Sequence, residues 1–373
     1  MVSEWPTSTV GEVSTKVTKG TTPTTIGGRF VETGVAFVKV ESITDDGRID
    51  QTKLAFIDDE TNRLLARSVL EEGDVLFTIA GTIGRVARVP RQLLPANTNQ
   101  AVAIVRPDPN VIDPRFLYYV LRDDVRVMHA HTRVVQSVQA NFSLAELSSV
   151  EIPLPPKDKQ HAIAHILGTL DDKIELNRRM NETLEAMARV LFKSWFVDFD
   201  PVRAKMEGRW KRGQSLPGLP AHLYDLFPDR LVPSELGEIP EGWEVGTLKD
   251  FAALNPETWS KKTRPQEIRY VDLSNTKRGR IESVAVYSKG DAPSRAQRVL
   301  RPRDTIIGTV RPGNGSYAFI LEEGLTGSTG FAVLRPRDVA YAEFVYLAAT
   351  AFNNIEALAH MADGGAYPAI RPD

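Results

Sequence analysis

The sequence predicts an α+β fold: two similar, mostly-β domains joined by a long helix of the coiled-coil type. Three observations lead to this prediction: an internal repeat, short strand-like runs within each copy, and a long run of helix-forming residues between the copies. The chain has 373 residues, of which 42% are hydrophobic. A chain of this size can bury more than one core.

The internal repeat consists of short matches that recur in the same order along the chain. They pair Trp5 with Trp243, 47–50 with 279–282, 73–78 with 303–308, 102–107 with 331–336, and 116–119 with 344–347. Within each copy, Val/Ile/Phe-rich runs bounded by Gly, Pro, Asn and Asp are typical of strands and turns. The repeating unit is longer than the roughly 20–50 residues of a solenoid. We therefore expect two copies of one domain.

The segment between the copies is predicted to be one helix over 157–195, because it is rich in Leu, Ala, Glu, Lys and Arg and contains no proline. Spacing of alternately four and three residues indicates a heptad seam, which favours a helical partner. Asn177 and Asn181 in that seam would fix register and orientation. An ordinary amphipathic helix packed on a globular domain stays the alternative. The predicted seam consists of Ile163, Leu167, Leu170, Ile174, Asn177, Asn181, Leu184, Ala188, Leu191 and Trp195.

These patterns give four segments: a first domain over 1–152, a helix over 153–200, a connector over 201–242 and a second domain over 243–373. The connector is rich in Pro and Gly. Its apolar residues Leu223, Leu226 and Phe227 predict a docked linker.

Several classes of site are excluded or disfavoured by composition and motif. With no cysteine, the chain has no disulfide, thiolate zinc site or cysteine nucleophile. His161 and His165 have the spacing of zinc-protease ligands, but Ala162 stands where the general-base Glu belongs, so we predict no metal site. Phosphate-binding and dinucleotide-binding glycine motifs are absent, and no catalytic residues are predicted. With no long apolar run and no secretory signal, we expect a soluble, cytoplasmic chain without a membrane partner.

Charge alone does not decide what the chain binds. The formal net charge is −2, and residues 249–311 hold fourteen Lys/Arg against seven Asp/Glu, whereas 1–150 hold sixteen against eighteen. Only the second copy therefore has a regional basic excess of the kind that nucleic acids attract.

The central region resembles the specificity subunits of type I restriction-modification systems. The resemblance rests on Ile-Pro-Leu-Pro-Pro at 152–156, on the stretches 166–185 and 191–201, and on Gly-Glu-Ile-Pro-Glu-Gly-Trp at 237–243. It implies that each copy is a target recognition domain that reads one half of a split, asymmetric site in double-stranded DNA. It also implies that the helix is a spacer that docks adenine methyltransferase (M) subunits, which carry S-adenosylmethionine, and that restriction (R) subunits add ATP-driven cleavage. The chain itself would be a non-catalytic subunit without a cofactor.

One departure from the family pattern concerns the end of the second copy. By the alignment of the two copies, its last residues correspond to 138–142 and the two residues after them, before the first copy's helix, so we expect a second spacer helix to be missing. Either the gene is truncated or another chain supplies the partner helix, and we therefore expect self-association or dependence on a second helical chain.

Sequence readout requires base-edge hydrogen bonds from loops, with phosphate contacts from cations. We predict DNA contacts in the first domain at Lys19, Thr21, Thr22, Arg85, Asn97, Asn99, Gln100, Arg133, Gln136, Gln139 and Asn141. In the second domain we predict them at Lys261, Lys262, Arg264, Asn275, Lys277, Arg278, Arg311 and Asn314. The alternatives are a coiled-coil adaptor with twin protein-binding domains and an enzyme with an unrecognised site.

Overall fold

The structure is a computed structural model that describes residues 5–123, 142–260, 262–362 and 369–370. It divides into two compact units, Met1–Arg179 and Met180–Asp373. The division falls within one continuous helix, Lys157–Phe196. The first part of that helix therefore packs in the first unit and the rest in the second.

The first unit contains two four-stranded sheets, with the orders β2-β9-β6-β7 and β3-β5-β4-β8 in the following labels. Its strands are β1 (Thr7–Thr9), β2 (Ser14–Lys19), β3 (Phe30–Val31), β4 (Val35–Val38), β5 (Ala55–Ile57), β6 (Val75–Thr78), β7 (Val86–Arg88), β8 (Ala96–Thr98), β9 (Val102–Pro107) and β10 (Glu151–Pro153). Its helices are α1 (Asp59–Leu64), α2 (Pro114–Leu121), α3 (Leu144–Ser148) and the first part of α4 (Lys157–Phe196). Strands β4 and β8 are parallel, so both end at the same edge of their sheet.

Alternating side chains of β6 build the cores of the first unit. Val75 and Phe77 point to one face of the sheet, where Phe116 and Leu117 of α2 cover them. Leu76 points to the opposite face and packs with residues of β4 and β8. This alternation is the two-residue period of a strand, and here both faces are buried. The sheet β2-β9-β6-β7 is thus sandwiched between helices and the second sheet.

The second unit also contains two four-stranded sheets, with the orders β13-β22-β19-β20 and β17-β14-β21-β18. Its strands are β11 (Leu231–Ser234), β12 (Gly237–Pro240), β13 (Ala252–Leu254), β14 (Glu267–Val271), β15 (Thr276–Lys277), β16 (Arg280–Ile281), β17 (Ala285–Ser288), β18 (Ala296–Val299), β19 (Thr305–Gly308), β20 (Tyr317–Phe319), β21 (Leu325–Ser328) and β22 (Phe331–Pro336). Its helices, after the end of α4, are α5 (Asp200–Met206), α6 (Leu248–Phe251), α7 (Ala342–Ala349) and α8 (Phe352–Met361).

The predicted fold class is confirmed, because the second unit repeats the first. The order β13-β22-β19-β20 matches β2-β9-β6-β7 strand for strand, and β14 pairs with β21 in parallel as β4 pairs with β8. The matched sequences 102–107 and 331–336 form β9 and β22, and 116–119 and 344–347 lie in α2 and α7. The recurring residues are therefore those that build the same elements.

Helix α4 runs over Lys157–Phe196, as predicted, but the middle of its seam is uncovered. The residues that it buries are Gln160, Ala164 and Gly168, which pack in the first unit. Among the seam residues, Ile163, Leu167, Ala188, Leu191 and Trp195 are half-buried, and Asn177 and Asn181 are exposed. Leu170, Ile174 and Leu184 are 52%, 66% and 55% exposed. The helix thus packs in each unit near its ends, as in the alternative interpretation, and leaves the middle of the predicted seam, residues 170–184, exposed.

The connector after α4 forms a small aromatic core of its own. Val202, Trp210 and Phe227 are buried there. The Trp195 indole Nε1 of α4 donates to the carbonyl of Gly218 at 3.1 Å. The expected docked linker is present, but Leu226 is 70% exposed, so its assignment as a docking residue is wrong. No helix in the described ranges is both long enough and apolar enough to span a bilayer.

Candidate nucleic-acid interface

In the first unit, two of the predicted loops meet where β8 ends. The Gly20 backbone N–H donates to the carbonyl of Asn99 at 3.0 Å. A Cβ at Gly20 would lie 1.8 Å from the carbonyl oxygen of Thr98, so only glycine permits this approach. The Thr22 hydroxyl then donates to Oε1 of Gln100 at 2.5 Å.

We call the resulting polar patch, formed by Lys19, Thr21, Thr22, Asn99 and Gln100, the Thr22 surface. Lys19 and Gln100 are exposed, and the other three residues are half-buried. The patch combines a cation with amide and hydroxyl groups. Amides and hydroxyls can donate to and accept from base edges, and the ammonium group can contact a phosphate.

The prediction that Asn97 contacts DNA is wrong. Its side chain is 0% exposed. Its Nδ2 donates to Oδ1 of Asn62 at 2.9 Å and to the carbonyl of Leu65 at 3.3 Å. Its Oδ1 accepts from the Ser68 hydroxyl at 2.8 Å and from the Thr98 N–H at 2.9 Å. An amide with this set of internal partners holds the fold together and has nothing left to offer a base.

Arg85 is bound within the protein by residues that do not belong to the Thr22 surface. Its Nε donates to Oδ1 of Asp45 at 2.6 Å, and its Nη1 donates to the carbonyl of Ile43 at 3.0 Å. These bonds attach the β6–β7 hairpin to the turn after β4. A DNA contact by Arg85 stays a prediction. The remaining candidates of the first domain, Arg133, Gln136, Gln139 and Asn141, lie outside the described residues, as does Lys261 of the second.

In the second unit, the loop after β13 holds Lys262 and Arg264. Lys262 is exposed. Arg264 is half-buried, and its Nη2 donates to the carbonyls of Pro293 at 3.1 Å and Ala296 at 2.5 Å. Trp259, which the sequence analysis overlooked, attaches the same loop to the sheet by donating from Nε1 to the Thr326 hydroxyl at 3.1 Å.

Two further candidate turns of the second unit lie side by side. The Arg278 N–H donates to the carbonyl of Gly315 at 2.7 Å. This bond joins the turn that carries Asn275, Lys277 and Arg278 to the turn of Arg311 and Asn314. Arg278 and Arg311 both adopt positive φ, of 42° and 48°. Asn275 is half-buried, whereas Lys277, Arg278, Arg311 and Asn314 are exposed.

The first of these turns also faces α4 within the same unit. Lys277 pairs with Glu282 at 2.9 Å, and Arg280 pairs with Glu182 of the helix. A pocket of about 390 Å³ lies here, and Glu185, Arg189 and Tyr317 are among its lining residues. Part of the positive charge predicted to meet DNA is therefore balanced by carboxylates of the protein.

The pairing of Arg280 with the helix has a counterpart in the first unit. There Arg48 pairs with Glu175 of α4 at 2.6 Å. The preceding residue is Gly47 with φ 84° in one unit and Gly279 with φ 91° in the other. We call the pairs Arg48–Glu175 and Arg280–Glu182 the anchors. The sequence analysis did not identify them, although the recurring Gly-Arg-Ile sequence was the signal for them.

A tyrosine of a domain helix donates a hydrogen bond next to each anchor, Tyr118 of α2 in the first unit and Tyr346 of α7 in the second. The Tyr118 hydroxyl donates to the Gly47 carbonyl at 3.0 Å, and the Tyr346 hydroxyl donates to Oε1 of Glu185 at 2.8 Å. Burial, together with the hydrogen bond to Glu185, raises the pKa of Tyr346. Tyr346 therefore stays a neutral donor at physiological pH.

The two histidines of α4 are arranged for hydrogen bonding and solvent contact. His161 Nδ1 lies 2.7 Å from Oδ2 of Asp113, which also caps α2. His165 is exposed. Within the part of the chain that the structure covers, no cluster of His, Asp and Glu could hold a metal ion.

The fold and its polar loop surfaces define a class of chain: duplicated β-rich modules that share one long helix. Residues 2–186 match the family model of the type I restriction modification DNA specificity domain. Through this half of its length the chain belongs to that family, and the resemblance seen in the sequence is confirmed.

Curated relatives agree with this assignment. The type I restriction enzyme HindI specificity subunit of Haemophilus influenzae is 31% identical over 216 residues, 57% of this chain and 41% of the relative. The MjaIX specificity subunit of Methanocaldococcus jannaschii is 30% identical over 185 residues, 49% of this chain and 36% of the relative. The matched segments thus span less than half of these relatives. Among solved structures, the HsdS subunit from Thermoanaerobacter tengcongensis aligns with 100% of this chain and 86% of its own, at 18% identity and a TM-score of 0.38.

Proposed function

We propose that the chain is the DNA-specificity subunit of a type I restriction-modification system, and that each unit reads one half of a split, asymmetric target. One observation carries the proposal: the second unit repeats one four-stranded sheet order and the parallel strand pair of the first, and the first lies within the residues that match the specificity-domain family. Because the loop residues of the two units differ, the two half-sites differ in sequence.

The Thr22 surface is the proposed reading surface of the first unit. Asn and Gln amides can bind adenine by two hydrogen bonds, and Thr hydroxyls accept a wider choice of bases. Lys19 supplies a phosphate contact. In the second unit, Lys262, Arg311 and Asn314 are the exposed candidates. Arg278 adds positive charge beside the turn of Arg311 and Asn314, whereas Lys277 pairs with Glu282.

The proposed partners are double-stranded DNA and the M and R subunits of the same system. Catalysis, S-adenosylmethionine and ATP belong to those subunits in this proposal, and this chain needs no cofactor. Because its substrate is chromosomal DNA, we expect it in the cytoplasm. The exposed seam residues Leu170, Ile174 and Leu184 support docking of another helix, from a second copy or from a helix-supplying chain.

The exposed seam also favours a second candidate, a coiled-coil adaptor with twin protein-binding domains. A gel-shift titration against salt separates the two. DNA binding that rests on phosphate contacts weakens linearly in log–log form, with a slope of about −0.9 per contact. A chain that binds only protein would not shift a labelled duplex at any salt concentration.

Gln100→Ala tests the reading surface in the same assay. We expect it to reduce the preference for the target duplex over a scrambled duplex, because it removes a base-edge donor and acceptor. The matched control is Gln92→Ala, an exposed glutamine of the same unit that lies in the turn before β8. Equal effects of the two substitutions would argue against the Thr22 surface.

A further inference from the structure

Arg298 of the edge strand β18 has an unusual environment for an arginine. The residue is half-buried, and its Nε atom is fully buried without a hydrogen-bond partner in the residues that the structure describes. Its Nη1 reaches the Thr258 hydroxyl only at 3.4 Å. A buried donor without a partner costs about 1–3 kcal/mol, and more when the group is charged. Such a group calls for an explanation beyond folding.

Neighbouring arginines of the same unit show what Arg298 lacks. Arg301, three residues later, makes a two-point ion pair with Glu257 at 2.9 and 2.8 Å. Arg335 pairs with Asp304 at 2.9 Å. For Arg298, desolvation lowers the pKa, and no carboxylate among the described residues offsets it. The described part of the chain therefore holds a partly desolvated cation and places no anion beside it.

The position of Arg298 links it to the candidate DNA loop. The register between β18 and β21 shifts between Ala296 and Arg298, and such bulges commonly redirect side chains near functional sites. Arg298 bridges to Thr258, and the Trp259 N–H donates to the carbonyl of Gln297 at 2.8 Å. The loop that begins here continues to Lys262 and Arg264.

The same loop has a counterpart on the Thr22 surface. Leu254 of β13 pairs with Leu334, as Val17 of β2 pairs with Val105. The residues that follow β13 therefore correspond to those that follow β2, which include Thr21 and Thr22. Arg298 thus lies against the second unit's equivalent of the reading loop.

We propose that Arg298 donates hydrogen bonds to a backbone phosphate of the bound DNA. This inference rests on the proposed function and adds a contact residue that the sequence did not suggest. A phosphate fits better than a base edge because it carries a negative charge, which the described residues do not place beside Arg298. Charge-assisted bonds offset desolvation better than neutral ones, and a guanidinium fork matches two phosphate oxygens.

The test compares Arg298→Gln with Arg301→Gln, two substitutions that change the net charge equally. The probes are fluorescein-labelled duplexes that carry either the target found by methylome sequencing or a scrambled sequence, titrated with the full chain at several salt concentrations. We expect Arg298→Gln to weaken binding of both duplexes by the same factor, roughly tenfold, and to reduce the salt slope by about 0.9. Arg301→Gln should change either affinity by less than about twofold, because an exposed ion pair contributes little.

Three other results would contradict either this inference or the proposed function. Unchanged binding by Arg298→Gln, with a wild-type chain that binds DNA, would overturn this inference and leave the proposed function intact. If Arg298→Gln relaxes the preference at one base position, Arg298 contacts a base and not a phosphate, and the inference is overturned. A wild-type chain that binds neither duplex would overturn the proposed function itself. Because the described residues place no anion beside Arg298, Arg298→Gln should not lower the urea midpoint. Arg298→Lys, which keeps the charge but loses the fork, should retain part of the affinity.

Discussion

Arg335 and Asp304 form a two-point ion pair in the second unit: Nε to Oδ1 and Nη2 to Oδ2 are both 2.9 Å. The Asp304 side chain is 1% exposed, and it also accepts from the Arg301 N–H at 2.9 Å. Arg106 and Asp74 repeat the arrangement in the first unit, at 2.8 and 2.9 Å. These residues occupy matched positions of the sequence repeat, so the repeat preserves a buried ion pair as well as an apolar pattern.

Asp304→Asn should destabilise the second unit by about 3 kcal/mol, because it leaves Arg335 without its buried anion. Urea unfolding followed by tryptophan fluorescence measures the loss. The control is Asp225→Asn, which removes an exposed partner of Arg212 and should cost less than about 0.5 kcal/mol. If the two substitutions cost the same, the buried pair does not stabilise the unit.

Arg303→Gly should stabilise the chain. Arg303 is exposed and has φ 74°, while Gly73 holds the matched position in the first unit with φ 89°. A left-handed conformation costs a non-glycine residue about 1–2 kcal/mol, which the substitution removes. Glycine also has more backbone freedom in the unfolded chain, and this offsets part of the gain in stability. We expect a net gain of about 0.5–1 kcal/mol and a melting temperature higher by about 1–3 °C in calorimetry.

Gly73→Arg is the reciprocal control. A Cβ at Gly73 would meet Pro114 at an ordinary 3.6 Å, so only backbone strain should matter there. The melting temperature should fall. A rise after Gly73→Arg would contradict the account of both positions.

Acid should weaken the Arg48–Glu175 anchor over a defined range of pH. Hydrogen bonds from Arg178, and secondarily from Arg179, lower the pKa of Glu175 to about 2. The unfolded value is about 4.3. The ionised carboxylate therefore stabilises the folded state fully above the unfolded value, and this stabilisation is lost as the pH falls through the folded pKa of about 2.

Glu175→Gln should consequently lower stability at neutral pH and approach the wild type as the pH is lowered, in urea unfolding at a series of pH values. Asp172→Asn serves as the control, because Asp172 is exposed on the same helix and has no ion pair in the described part of the chain. A constant difference between wild type and Glu175→Gln across the pH series would show that charge at Glu175 is not the cause.

Substitutions in the seam should prevent association of helices while leaving the fold intact. Leu170→Lys and Ile174→Lys place charge on side chains that are 52% and 66% exposed. Leu176→Lys is the matched control: its side chain is 58% exposed but lies about 120° around the helix from Leu170.

Light scattering over a range of concentrations measures the result. We expect the wild type and Leu176→Lys to gain mass with concentration, and the double seam variant to remain monomeric with unchanged helicity. A wild type that stays monomeric at every concentration would argue against self-association through the seam.

The repeat and the helix could be predicted because both depend on local patterns. Helix formers without proline define α4, and recurring apolar runs define paired strands such as β9 and β22. The aromatic core around Trp210 could not be foreseen, because it depends on contacts between residues far apart in the connector.

The candidate site was predictable only in part, for a related reason. Composition identified the loops, and the structure brings Thr22 and Gln100 together. Composition could not distinguish Gln100, which faces solvent, from Asn97 three residues earlier, which holds α1 and β8 together from inside. Nor could it reveal Arg298, because the buried Nε atom without a partner among the described residues is a property of the folded neighbourhood.

Methylome sequencing of a host that carries this chain with the methyltransferase of its own system tests the central proposal most directly. We predict a new adenine-methylated motif of two separated half-sites, and we predict that Thr22→Ala combined with Gln100→Ala alters one half-site and leaves the other unchanged. No new motif, or a change in both half-sites at once, would contradict the account of two units that each read one half of the target.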